Sequence, residues 1–493
     1  MSLRSKTLRG LVWQGLGRGG ERLARLLANV ALARLLSPDD FGLIGVVAAA
    51  LAAVEAVAFL ASEQAIIHSD RGRHCEFLDT AFWLASGRGL IIGVGFLTAA
   101  PFAARFFERP DATPLFCVAA MQPFITGLAS PRVSLLMKDM RFAIWSTYRF
   151  CCSLLGMGAT IALAIWLRSA WALLIGQLVM TMILTTGSYV VAPFRPRWRF
   201  DADSWRELRT FGLRAAGTPL LLALIFQAPA ILLGRGAGLG VLGVFLLSQR
   251  LVDIPRDVSL QTIGVVATPA YSSIKADRSR LLRTWLMSLK MIGQISLPLA
   301  AILAWVGNDL PRVVYGNEYT GETGLVAMLA AASALSGMLA VTGPLFWGTG
   351  LPSYDRTAQF ARIIVLYGLG AWLTVRFGGR GLAAAIVAAL AVSFVVALVL
   401  VRSIIEASWK RICLALLPGC MCAAILLTVL LLSDQIIRST GWGRLAIGGS
   451  VGCPLVAVGL VWSFRDLRAR RMKMPPMTAA VTEIQADERS VRV

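Results

Sequence analysis

A chain of 493 residues that is 57% hydrophobic and only 15% charged, with a mean hydropathy of +0.70, lies far outside the range of soluble globular domains and reads as a polytopic membrane protein. Its formal charge of +21 would raise nucleic-acid binding in a soluble chain, but the basic residues concentrate in alternate short loops, as the positive-inside rule requires. The eight cysteines (Cys75, Cys117, Cys151, Cys152, Cys413, Cys420, Cys422 and Cys453) lie mostly in apolar segments without CxxC or zinc-like spacing, which argues against a disulfide frame or a metal site.

The first stretch, Leu8 to Gly42, is long enough to cross a bilayer yet carries Arg18, Glu21, Arg22 and Arg25. In a helix Gln14, Arg18, Arg22 and Arg25 share one face. A guanidinium near the bilayer centre costs on the order of 3 kcal/mol by insertion scales, so such residues face protein or a water-filled cavity. The spacing predicts that this face forms part of the wall of an aqueous, anion-attracting cavity. The alternative is an ion pair within the helix between Glu21 and Arg25, at i,i+4, which still leaves Arg18 and Arg22 without a partner there. The charges interrupting the apolar run, and the LARLLSPDDFG turn that follows, are unlike a cleaved signal.

Apolar segments of spanning length then recur to the end of the chain, about fourteen at the roughly 20-residue threshold. They fall at 11–34, 41–62, 80–101, 112–136, 144–166, 170–192, 212–234, 241–265, 285–306, 321–346, 357–376, 381–401, 411–433 and 444–463. Proline and glycine within 112–136 and 241–265 predict broken or kinked helices. Lys and Arg number about 25 in one set of loops and about 9 in the other, which predicts both termini in the cytoplasm.

Pro193 to Arg209 is the longest polar break in the first half of the chain. Arg34 and Gly42 match Arg235 and Gly243, and HSDRGR at 68–73 parallels KADRSR at 275–280, which suggests an internal duplication. The expected organisation is a six-helix lobe over 1–200, a second over 201–405, an additional helix pair over 406–465 and a disordered cytoplasmic tail over 466–493. Two copies of six spans share one orientation, the parallel-repeat plan of several transporters, with substrate bound between the repeats.

Other ionisable residues inside spans are Glu55, Arg88, Arg149, Arg214, Arg250 and Asp253. At 1.5 Å per residue, Arg18 and Arg88 lie roughly 10–12 Å from the inner end of their spans, Arg149 about 8 Å, and Arg250 about 14 Å from the outer end. This gradient suits an anionic group entering from the cytoplasm, with arginine giving a bidentate grip on phosphate. For Arg88 and Arg149 the alternative is snorkelling to headgroups. Glu55 and Asp253 are read as ion-coupling sites or as counter-charges to the arginines; for Asp253, three residues from both Arg250 and Arg256, an ion pair is favoured.

Enzyme signals are weak. His68 and His74 match no metal-binding helix spacing, and Asp39 and Asp40 sit after Pro38 at a helix start, where acids are favoured. GRGAGLG at 234–240 follows a helix rather than a strand and reads as a tight turn. No catalytic residue, metal or cofactor is expected, and no soluble nucleotide-binding domain is visible.

LARLLSPDDFGLIGVV, followed by an acid-bearing second span and then ASEQAIIHSD, resembles the opening of bacterial polysaccharide export proteins of the Wzx type. LGVFLLSQRLVDIP, VVATPAYSSIKADRSRL and ISLPLAAILAWVGNDLPRVVYGNEYTG resemble the matching later segments. The resemblance covers about the first 350 residues. It implies an all-α fourteen-helix transporter of the multidrug/oligosaccharidyl-lipid/polysaccharide superfamily, with two six-helix lobes forming a V. The implied cargo is a polyprenyl-pyrophosphate-linked oligosaccharide flipped across the bacterial inner membrane, with a polysaccharide polymerase and export machinery as further partners. The competing functions are a drug or ion antiporter or a lipid II flippase of the same superfamily, and a membrane polymerase or ligase. A cation exporter would present an acidic or apolar chamber, and a polymerase a large outer loop.

Overall fold

The computed structural model describes residues 19–57, 62–215, 217–253, 255–257, 267–268, 270–307 and 309–437, and among these the chain is helical with no strand. Helix α1 (19–33) is followed by α2 (Pro38–Val57), α3 (Ser62–His68) and α4 (Cys75–Phe106). The start of α2 is a reciprocal cap. Ser37 N–H donates to Asp40 Oδ2 at 3.0 Å, and Asp40 N–H donates to Ser37 Oγ at 3.3 Å, with Pro38 at the first helical position. The acidic pair Asp39/Asp40 is thus explained by helix initiation.

The broken helix expected over 112–136 consists of α5 (Thr113–Ala119), α6 (Met121–Gly127) and α7 (Val133–Lys138). Two long spans, α8 (Phe142–Leu167) and α9 (Ala170–Val191), complete this part of the chain. The polar break is only partly loop: α10 (Ala202–Ala215) begins inside it, because the Asp201 carboxylate accepts the Ser204 N–H at 2.9 Å and starts a helix there.

Next come α11 (Gly217–Gly236) and α12 (Leu239–Val252). The second expected break falls after α12, at Asp253 before Pro255. Then follow α13 (Arg278–Val306), α14 (Asp309–Tyr315), α15 (Leu325–Gly348), α16 (Pro352–Ile405) and α17 (Trp409–Ile437). Gly378, at φ +57°, interrupts α16, so that its two parts correspond to the spans expected at 357–376 and 381–401. Glu322 caps the second part by accepting the Gly379 and Arg380 N–H groups at 3.3 and 3.0 Å.

Seven of the described helices are long and apolar enough to cross a membrane: α4, α8, α9, α13, α15, α16 and α17. Exposed Leu, Ile, Val and Phe along them, such as Ile91, Leu155, Ile364 and Val375, are what a lipid-facing surface requires. The fold is an all-α polytopic membrane protein.

The buried cores are unequally shared along the molecule. Near the 34–38 turn and α14, Leu32, Leu36, Phe41 and Ala172 pack in one core with Leu247, Trp305, Tyr315 and Tyr319. The Tyr319 hydroxyl donates to the Leu36 carbonyl at 2.6 Å, and the Phe41 and Tyr319 rings meet edge to face at 6.1 Å. At the opposite end the cores are separate, one drawn from residues between 65 and 208 and the other from residues between 267 and 412. The largest core draws on both parts of the chain, among others Val46, Ala100 and Phe116 with Leu233, Leu329 and Leu382.

Candidate functional site

Charged side chains from α1, α12 and the turn after it converge. Arg22 on α1 pairs with Asp257 at 3.0 Å, a carboxylate far along the sequence. Arg256 bridges Asp253 at 2.9 Å and approaches Asp257 at 3.6 Å, and its backbone N–H donates to Ser333 Oγ on α15 at 3.3 Å. Arg250 donates to Asn29 Oδ1 on α1 at 2.9 Å. Arg25 is within the electrostatic reach of Arg250 and is held by Glu21 at 2.7 Å. Glu21 in turn accepts from Ser153 Oγ on α8 at 3.2 Å.

Arg250 is exposed to solvent-sized molecules although protein crowds its guanidinium on most sides.

A further cation, which sequence reasoning passed over, completes the group. Arg362 on α16 is set deep in the protein beside Arg256, and its Nε is buried with no hydrogen-bond partner. Asp355 and Gln359 precede it by seven and three residues, on the same helix face. Asp355 accepts from Trp347 Nε1 at 3.3 Å, and Gln359 Oε1 is also buried without a partner. The spacing of these three residues was a signal available in the sequence.

The group thus contains Arg22, Arg25, Arg250, Arg256 and Arg362 against Glu21, Asp253 and Asp257. It is net positive although Arg22, Arg25 and Arg256 are each ion-paired, and a net-positive cluster draws anions.

The structure brings Arg22, Arg25, Arg250 and Asp253 together and sets other expected residues apart. Asp253 pairs with Arg256, not Arg250. Glu55 on α2 lies under the charge of Arg88 on α4. Arg149 on α8 stacks over Trp145, with its Cζ 5.2 Å from the ring centroid. Arg18 and Gln14 lie outside the described residues. Among those residues no group of His, Cys, Asp and Glu is arranged to hold a metal ion.

The chain matches the family model described as "Polysaccharide biosynthesis protein" over residues 31–323. It is 23% identical to the succinoglycan biosynthesis transport protein ExoT of Rhizobium meliloti (strain 1021) over 71% of each chain. It is also 23% identical to the lipopolysaccharide biosynthesis protein WzxC of Escherichia coli (strain K12) over 68% of each. Among solved structures, the fold is similar to that of lipid II flippase MurJ in an inward closed conformation. That likeness has a TM-score of 0.74 at 13% identity and covers 92% of this chain and 99% of that one. A MATE family multidrug transporter of the MOP superfamily, in an inward-facing conformation, is similar at a TM-score of 0.58 and 17% identity, over 79% of this chain and 96% of that one. The structural likenesses concern fold, and the family match covers more than half of the sequence. This all-α, multi-pass membrane chain, with its cationic group between distant helices, belongs to the polysaccharide biosynthesis protein family.

Proposed function

We propose that the protein flips a polyprenyl-pyrophosphate-linked oligosaccharide from the cytoplasmic to the periplasmic leaflet of the bacterial inner membrane, for synthesis of an exopolysaccharide, capsule or O-antigen. The observation that carries this reading is the net-positive arginine group built from α1, α12 and α16. A pyrophosphate diester carries two negative charges, and planar guanidinium groups grip its oxygens two at a time. The relatives named as transport and biosynthesis proteins of surface polysaccharides support the same class of cargo.

In this reading the chain has fourteen helices: lobes over 1–200 and 201–405, a pair over 406–465 and a cytoplasmic tail over 466–493, with both termini in the cytoplasm. Arg88 and Arg149 receive the headgroup near the inner mouth. Arg18, Arg22, Arg25 and Arg250, joined by Arg362, hold the pyrophosphate midway. Glu55 and Asp253 supply ion coupling or counter-charge. The core that joins Leu36 to Tyr319 keeps the far side sealed until the lobes rock about the site. The cargo crosses chemically unchanged, so the protein is no enzyme, and a polymerase and export machinery take it up on the far side.

In a strain lacking the gene, the lipid-linked oligosaccharide should accumulate on the cytoplasmic leaflet. The wild-type gene should clear it, and an Arg25→Ala/Arg250→Ala variant of normal abundance should not. Accumulation on the periplasmic leaflet would move the protein to a later step, that of a polymerase or ligase.

A further inference from the structure

A second cationic site lies away from the arginine group, at the end where the cores are separate. The extended segment 192–201 folds against the start of α4 and the end of α9 and leaves a pocket of about 450 Å³, lined among others by Cys75, Asp79, Arg132, Tyr189, Arg195 and Arg197. That volume falls in the range of small-ligand sites, roughly 300–1,000 Å³.

Side chains of the helices bind the segment's backbone and so give the pocket its shape. Asp79, 2% exposed, accepts the Arg197 N–H at 3.1 Å. Arg132 donates to the Pro193 carbonyl at 2.9 Å and lies 5.7 Å from the Phe194 ring centroid. Trp83 donates to the Arg197 carbonyl at 2.9 Å and stacks on Trp198 at 3.9 Å. The ion pairs of this region join Arg71 to Asp201 and Arg73 to Asp139. Arg195 and Arg197 are exposed and have no ion-pair partner among the described residues.

Three guanidinium groups thus line a pocket with one buried carboxylate. Beside it Trp198 and Phe200 are 85% and 62% exposed. Exposed aromatic rings next to arginines at the ends of apolar spans mark the depth of lipid headgroups. A site for a soluble anion has no need of an apolar rim.

We propose that this pocket binds the phosphodiester headgroup of an anionic phospholipid of the adjoining leaflet, with Arg195 and Arg197 on the phosphate and Trp198 and Phe200 among the acyl-glycerol groups. Held this way, the segment between α9 and α10 is fixed to the membrane surface. The proposal does not depend on the identity of the transported cargo, and its test reads binding alone.

The full-length protein in neutral detergent would be titrated with pyrene-labelled phosphatidylglycerol, following energy transfer from tryptophan, with unlabelled lipids as competitors. Wild type should bind the label, and phosphatidylglycerol should displace it far better than phosphatidylcholine. Arg195→Ala/Arg197→Ala should bind about 10- to 30-fold more weakly. Arg195→Lys/Arg197→Lys, which keeps both charges, should retain most of the affinity. Both positions are exposed, and an unchanged unfolding temperature would verify that the variants are folded. Wild-type affinity in the alanine variant would overturn the proposal. So would equal displacement by phosphatidylcholine, and displacement by millimolar inorganic phosphate as effective as that by phosphatidylglycerol would make the pocket a soluble-anion site instead.

Discussion

Gly42 of α2 and Gly243 of α12 lie face to face. A Cβ on Gly42 would collide with the Leu239 carbonyl oxygen, and one on Gly243 with the Pro38 carbonyl oxygen. The two contacts exchange under a single offset, since 243 minus 42 and 239 minus 38 both give 201. Helices α2 and α12 therefore cross at backbone contact, in a way a local two-fold axis would produce, and only glycine permits that approach.

Adding a methyl group at this crossing should separate the two helices. Gly42→Ala and Gly243→Ala are each expected to cost about 1–3 kcal/mol of stability, the usual penalty of overpacking. Because both act on one contact, the double variant should cost less than their sum. Denaturant unfolding in detergent measures all three, and full additivity would show that the two glycines are not in one contact.

The pair Glu21 and Arg25 separates a structural role from a cargo-binding one. Loss of a hydrogen bond to a charged group in a water-poor cavity costs roughly 1.5–3 kcal/mol, or about 10- to 100-fold in affinity. Arg25→Ala should reduce export by that order and also leave Glu21, 2.7 Å away, without its partner. Glu21→Ala/Arg25→Ala should restore abundance but not export. Normal abundance with full export in the double variant would show that Arg25 never meets the cargo.

Arg362 should behave as a cargo contact rather than a packing residue. Its Nε is buried and unsatisfied, so removing the side chain also removes a cost of desolvation. Arg362→Ala is expected to match or exceed wild-type abundance while export falls about 10-fold or more. Arg362→Lys should recover part of the activity, since it keeps the charge and loses the planar fork. Export at the wild-type level in Arg362→Ala would exclude the residue from the site.

Topology is open to reporter fusions. A reporter active only outside the cytoplasm should be silent when fused after Arg209 or Arg471 and active near Asn317. Activity at Arg471 would mean an odd number of spans and would refute the fourteen-helix reading.

The segment between α9 and α10 should respond to acid through Asp201. Hydrogen bonds from the Ser204 hydroxyl and N–H, and then the Arg71 guanidinium, hold this carboxyl below its ordinary range. A depressed pKa in the folded state contributes stability at pH above the unfolded value of about 3.9, and the contribution is lost as pH falls through the lowered value. Asp201→Asn should therefore unfold at a lower temperature than wild type near neutral pH, and the gap should narrow below about pH 4. A gap independent of pH would place the effect in packing instead of charge.

Hydropathy, helical period and breaker residues were enough to define the membrane class, the α fold, the broken span over 112–136 and the join marked by Gly378. These are local properties, set by the transfer energy of a segment and by the geometry of one turn. What each charge meets is not local. Arg22 finds Asp257, and Arg250 finds Asn29 across 221 residues, because the packing of α1 against α12 brings them together; no spacing within either helix encodes that distance. Arg362 was legible as the third member of a polar face with Asp355 and Gln359. Only tertiary structure turned that face toward Arg256 instead of lipid, since a helix's period says which residues share a side but not what the side confronts.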